Sequence, residues 1–312
     1  MHKNNYFLNM MKPPTHIFLT RNILRIMNEE LNNRTIQKIQ KTIGSSSPLT
    51  YDVRGRVILD AAHVPPSLNQ VGLTDWPEPN RSCWEKPLTI VQREMLTAAM
   101  SKPGDDIIAE AGSILLSRRT FGTLPQPSEV EGDVINACML VLQKMALSKY
   151  IEIFPADCHT VSRRLPPMSA CPFQHLPADA SSKDTLVFPS WRPGHWMICV
   201  IKPKLRESYF LNSLQVQGPH DEAYRAIYSN ICQKLCPGLW TQFTTDDIED
   251  VPRQGLSHNC GIFTLMYALY ITLGGQFDFS EADMPTIRLW RYVLLLENFP
   301  ARSTIESVPR KD

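Results

Sequence analysis

The sequence predicts an α+β fold in which a mixed sheet packs against a buried helix, and three observations predict it. Beyond Pro103-Gly104, helical and strand-like patterns follow one another as helix, strands, helix, strand, helix, helix. His195 to Lys202 is almost continuously apolar through Trp196, Met197, Ile198, Cys199, Val200 and Ile201, the pattern of a strand covered on both faces. Finally, the polar, turn-forming stretch Gln254-Gly255-Leu256-Ser257-His258-Asn259 ends in Cys260-Gly261, and an apolar run from Ile262 to Ile271 begins at once. That run reads as a core helix.

The elements follow from local pattern. Ile23 to Ile43 carries apolar residues at helical spacing and is stopped by Gly44-Ser45-Ser46-Ser47-Pro48. Pro65 to Pro87, with Trp76 and Trp84, reads as an irregular connector. Ser113 to Ser117 is a short strand. Asp133 to Lys149 is a helix whose stripe comprises Val134, Ile135, Cys138, Val141, Leu142 and Met145. Ile151 to Lys183, rich in proline and small polar residues, is expected to be a long loop. Asp184 to Phe188, His195 to Lys202 and Glu207 to Leu214 are strands, with a turn at Pro203-Lys204. A helix over His220 to Leu235 and a strand over Trp240 to Thr245 follow. The buried helix runs to Leu273 before Gly274-Gly275, and Pro285 opens a last amphipathic helix. Two regions are expected: 1–105, an accessory domain or extended arm of unknown role, and 106–312, the domain that carries the chemistry.

Composition removes several function classes. Lys+Arg 32 against Asp+Glu 31 leaves a net charge of +1, so there is no electrostatic case for nucleic acid or an anionic membrane. No apolar stretch approaches the ~20 residues of a membrane span, and the N-terminus lacks a secretory pattern. The eight cysteines are scattered through a chain long enough to fold without disulfides, which favours free thiols in a reducing compartment, nucleus or cytoplasm. No glycine-rich phosphate loop occurs. Cys158-His159 with Cys171 and His175 lacks a zinc-knuckle spacing, and Cys232 with Cys236 reads as core or rim rather than a redox pair. No metal or organic cofactor is expected.

Cys260 at the first turn of a helix meets unpaired N–H groups and the positive end of the macrodipole, which favour a thiolate and so a nucleophile. It also reads as a small buried hydrophobe leading a core helix. If the strands joined by Pro203-Lys204 pair, His195 at the start of one and Asn212 near the end of the next lie at one sheet edge. Cys260 then needs its helix docked there. His195 becomes the base, Asn212 the group orienting the imidazole, and Gln254 with the Cys260 N–H an oxyanion site. Taken singly, each of these residues also has an ordinary structural reading.

His195-Trp196, Asn212-Ser213-Leu214 and Gln254 six residues before Cys260-Gly261-Ile262-Phe263 occur in an order and at intervals that resemble the ubiquitin-like-protein-specific (SUMO/sentrin) cysteine proteases. Ser113 to Leu124, Val134-Ile135-Asn136 and Pro285 to Leu296 resemble further segments, so the likeness covers about 107 to 300. It implies a papain-like cysteine protease architecture with the nucleophile on the buried helix. It also implies a monomeric thiol peptidase or isopeptidase cutting after the C-terminal Gly-Gly of a ubiquitin-like modifier. The departures are specific. Asn212 stands where the family has Asp, which weakens imidazolium stabilisation without removing the orienting carbonyl. Asn259 replaces the Asp before the nucleophile. Glu129 and Gly132 stand where the family has Trp and Asp, so the clamp on the Gly-Gly tail is expected to use Trp196 with another aromatic such as Trp191. These departures also motivate an alternative: a weak or inactive relative that keeps the fold to bind a modifier or partner.

Overall fold

The computed structural model describes residues 78–101, 104–162, 175–214 and 219–300, with the short strands β1 (Thr50–Tyr51) and β2 (Val57–Ile58). The chain divides into two units, Met1–Gly72 and Leu73–Asp312. In the first, β1 and β2 pair antiparallel; the helix expected over 23–43 lies outside the described residues.

The second unit is built on one five-stranded sheet in the order β5-β6-β7-β8-β9: Ile153–Pro155, Thr185–Arg192, His195–Lys202, Glu207–Leu211 and Thr241–Thr244. The inner pairs are antiparallel and both outer pairs parallel, so the sheet is mixed as expected. β7 is buried along nearly its whole length, and its side chains alternate between two cores. Trp196, Ile198 and Val200 join one cluster, while Met197, Cys199 and Ile201 join the other. That division explains why the strand reads as an unbroken apolar run.

On the first face lie α4 (Gly132–Ser148), α6 (Cys260–Leu273) and α7 (Met284–Asn298), reached after the hairpin of β3 (Ile107–Ala111) and β4 (Ile114–Ser117) and the single turn α3 (Arg118–Phe121). α6 buries almost every residue. Each large side chain among them contributes about 1.5–3 kcal/mol of burial, which overrides the modest helix propensity of its β-branched and aromatic residues. Gly274 ends it in the left-handed region (φ 81°) that glycine adopts without cost. On the second face α5 (Pro219–Leu235) packs through Tyr224, Tyr228, Ile231 and Cys232.

Two expectations change. The loop predicted over Ile151–Lys183 contains β5, a three-residue edge strand whose Pro155 masks it, since proline is tolerated only at such an edge. The expected boundary at 105/106 moves upstream. α1 (Ser82–Glu85) and α2 (Ile90–Met100) belong to the second unit, and Trp84, 2% exposed, is set against Tyr270 and Trp290 with ring centroids 6.4 and 6.0 Å away. The prolines around Trp84 obscured a buried anchor.

Candidate active site

β6 and β7 are joined at Arg192↔His195 by the two-residue turn Pro193-Gly194, with Gly194 at φ 75°. That turn sets His195 at the head of β7. The antiparallel pairing of β7 with β8 brings the residues after Leu211 to the same edge. His195 and Asn212 are both buried, and His195 Nε2 lies 2.8 Å from Asn212 Oδ1. Asn212 is fixed further by its backbone: its N–H donates to Thr245 Oγ1 (2.9 Å), and the Thr245 hydroxyl returns a bond to its carbonyl (3.1 Å).

Ser213 ties in the loop that precedes Cys260. Its hydroxyl donates to Gln254 Oε1 (2.6 Å), and its carbonyl accepts the Gln254 N–H (3.1 Å). The Gln254 side-chain amide donates to the Ser257 carbonyl (3.0 Å). One of its two hydrogens is therefore spent within the loop.

Cys260 is the first residue of α6 and is 2% exposed. Its sulfur meets the backbone N–H groups of Trp196 and Gly261, which docks the helix start against the head of β7 next to His195. Contrary to the expected depression, burial raises the thiol pKa, and these N–H groups offset it only in part. Burial likewise lowers the His195 pKa, opposed by its bond to Asn212. Both shifts favour a neutral thiol–imidazole pair at rest.

Gly261 is required by close approach: a side-chain carbon there would sit 3.0 Å from Val130 Cβ and 3.3 Å from Trp196 Cδ1. Trp196 is 3% exposed, and its indole N–H donates to the Val130 carbonyl (3.0 Å). It is a strut beneath the start of α6 rather than an open platform. Trp191, its register partner on β6, is half-buried and keeps part of its surface open. Glu129 is exposed, with Oε1 3.8 Å from where a side chain on Gly194 would begin, and its charge acts on both His195 and Cys260.

Two participants are not evident from sequence. Arg288 on α7, 2% exposed, uses its whole guanidinium: Nε to Asn259 Oδ1 (3.0 Å), and the terminal nitrogens to the carbonyls of Thr123, Leu124, Ser128 and His258. It fastens the Cys260 loop to the segment leading to Glu129. Burial lowers its pKa to about 10, so it stays charged at neutral pH. The only sequence sign is an arginine beside Ile287 on an apolar helix face. The other is Asp221, in the first turn of α5 and 1% exposed, whose Oδ2 accepts from Asn212 Nδ2 at 2.8 Å.

Among the described residues Asp157, Cys158 and His159 group their ligand atoms within 4.8 Å. Both Asp157 oxygens are already engaged, by Asn136 Nδ2 (2.8 Å) and the His159 N–H (2.9 Å). The Cys158 thiol faces the Gly132 carbonyl and is pushed up to about 12, chiefly by burial. The group anchors its loop to α4. Cys171 lies outside the described residues.

The sequence profile of the Ulp1 protease family, C-terminal catalytic domain, matches residues 172–301. A mouse relative, sentrin-specific protease 5, is 27% identical over 124 residues, 38% of this chain and 16% of that protein. The chain spans only 16% to 35% of the length of the curated relatives it matches. Among solved structures, the Chaetomium thermophilum Ulp1-like SUMO protease catalytic domain superposes with a TM-score of 0.58 at 20% identity, covering 68% of this chain and 90% of that one. The C-terminal Ulp1 protease domain in complex with Smt3, the yeast ortholog of SUMO, superposes with a TM-score of 0.53 at 17% identity, covering 70% and 95%. These structural likenesses show the fold, and residues 172–301 match the profile of the Ulp1 protease family's C-terminal catalytic domain.

Proposed function

We propose that this domain is a cysteine peptidase that cleaves after the C-terminal Gly-Gly of a SUMO-like modifier, processing it or releasing it from conjugates. The observation that carries the reading is the buried His195–Asn212 bond at the sheet edge where the Cys260 sulfur is docked. With Nε2–H donated to the Asn212 carbonyl, His195 keeps its Nδ1 lone pair for the thiol proton. Cys260 attacks the glycine carbonyl as that proton transfers. The free hydrogen of the Gln254 amide and the Cys260 N–H receive the oxyanion. The imidazolium returns the proton to the leaving amine, and water, deprotonated by His195, hydrolyses the thioester. Every step uses side chains, one backbone N–H and water. Trp191 and Trp196 flank the path of the tail, with Trp191 as the more open surface. A modifier of this class sets the reaction inside the cell, in nucleus or cytoplasm, with the protease acting as a monomer.

A modifier–glycine probe bearing an electrophile at its C-terminus tests this. The wild type labels, Cys260→Ala does not, and Cys138→Ala still does, because burial pushes the Cys138 thiol up to about 12 and leaves it inert. Binding without labelling across a panel of ubiquitin-like modifiers overturns the enzyme reading in favour of a modifier-binding module.

A further inference from the structure

Asn212 stands between two buried groups of different kind. Its Oδ1 faces His195 Nε2 (2.8 Å) and also accepts the Leu214 backbone N–H (3.0 Å), while its Nδ2 faces Asp221 Oδ2 (2.8 Å). The amide can point only one way. Turned over, Nδ2 would confront the Leu214 N–H, donor against donor, and Oδ1 would confront a carboxylate oxygen, acceptor against acceptor. Asp221 therefore fixes the Asn212 carbonyl towards His195, and through it the tautomer with Nε2 protonated and Nδ1 free. The second oxygen, Asp221 Oδ1, is buried and without a hydrogen-bond partner, so this carboxylate is held in place despite incomplete satisfaction.

We propose that Asp221 is a positioning residue of this site: a buried carboxylate that, through the Asn212 amide, supplies the negative charge Asn212 itself lacks and stabilises the His195 imidazolium as it forms. The proposal rests on the cysteine-peptidase reading above. Asp221 takes no proton in it. The Cys260 proton moves to His195 Nδ1, Nε2–H stays donated to Asn212, and Asp221 acts by charge and orientation. Other charged or titratable groups face this chain from each neighbouring element: Arg192 beside His195, Glu129 ahead of α4, Cys260 on α6, and Tyr224 near both Arg192 and Asp221. Arg225 of α5 and Arg253 of the nucleophile loop line a small cavity with Asn212 and Asp221. They remain the same in the isosteric variant Asp221→Asn, which removes only the carboxylate charge. Asn212→Asp alone would set two carboxylates against each other, and one would retain a proton, so it is not the simple gain that an Asn-for-Asp exchange suggests.

The test is the rate of Cys260 alkylation by iodoacetamide, followed by mass spectrometry at Cys260, at pH 7 and at pH 9. At pH 7 the reactive form is the minor thiolate–imidazolium tautomer, whose fraction scales with His195 basicity. At pH 9 the reactive thiolate forms chiefly by direct ionisation, beside a neutral His195. Asp221→Asn is expected to lower the pH 7 rate about tenfold, the effect of an imidazole about ten times less basic, and to leave the pH 9 rate within about twofold. The exchange Asn212→Asp/Asp221→Asn is expected to restore the pH 7 rate. Equal rates in wild type and Asp221→Asn, or an equal fall at both pH values, overturns the proposal, the latter because it reports a packing defect. The assay needs no modifier. If Asp221→Asn changes the pH ratio while no modifier is cut, the substrate reading fails and the Asp221 assignment stands.

Discussion

On the β8 side of Cys260 the polar groups answer one another in a closed chain, from Asp221 through Asn212 to His195 and from Ser213 to Gln254. Towards Glu129 and Gly194 the surroundings are open instead: Glu129 is exposed beside Gly194, and Trp191 on β6 keeps part of its surface open. On the proposed reading, the first region tolerates exchange of one member because its neighbours can restore orientation and charge. The second then offers surfaces to a partner, so each change there alters recognition directly. That reading leaves chemistry and recognition free to diverge separately.

Three perturbations test that contrast. The largest falls on Arg288, which joins the two regions. Arg288→Met leaves Asn259 Oδ1 and four carbonyls without their donor, and is expected to cost about 3–5 kcal/mol in chemical denaturation; a loss below about 1 kcal/mol would show that water or neighbouring groups replace it.

A smaller effect separates the first region from the cores beneath it by pH. His195 has a lowered pKa in the fold, mainly through burial. Its contribution to stability is thus present above the ordinary histidine value and lost as pH falls below it. Cys138 and Cys232 have raised values, to about 12 through burial, so theirs is present below the ordinary thiol value and lost as pH rises towards 12. Thermal melts should fall off on both limbs. His195→Gln should flatten the acid limb and Cys138→Ala the alkaline one. An acid limb unchanged in His195→Gln would assign it to other groups.

The smallest change in stability belongs to Glu129→Trp. The residue is exposed, so unfolding free energy should move by no more than about 0.5 kcal/mol, while KM for a modifier substrate should fall with kcat nearly constant. An unchanged KM would remove position 129 from the substrate path.

The placing of His195, Asn212, Gln254 and Cys260 near one sheet edge was legible because each sits at a fixed place on an element whose period or turn is plain, and their intervals constrain one another. β7 came through with its limits intact for the same reason. Asp221 was not legible. Asp221-Glu222 at a helix start reads as ordinary complementation of the macrodipole, and only the meeting of α5 with β8 gives the carboxylate its partner. Arg288 was hidden because an arginine on an amphipathic helix normally marks the solvent face. The thiol pKa ran against expectation because the helix start competes with burial, and burial is a tertiary quantity. At Trp196 the sequence marked the position, while its role as a strut required the Val130 carbonyl to be located.

β7 is apolar on both faces, and this bears on how the imidazole is aligned. In a half-buried strand a slip of one residue is penalised because it carries apolar side chains into water. Here the same slip would exchange Trp196, Ile198 and Val200 for Met197, Cys199 and Ile201, one greasy set for another. Hydrophobicity cannot tell the two settings apart. What keys the strand is punctuation at its two ends: Pro193-Gly194 before it, and after it the turn closed by the Leu205 and Arg206 N–H groups on the Lys202 and Pro203 carbonyls, with Arg206 itself at φ 54°. The bearing of His195 is thus dictated by two short turns, neither of which contains a reacting atom.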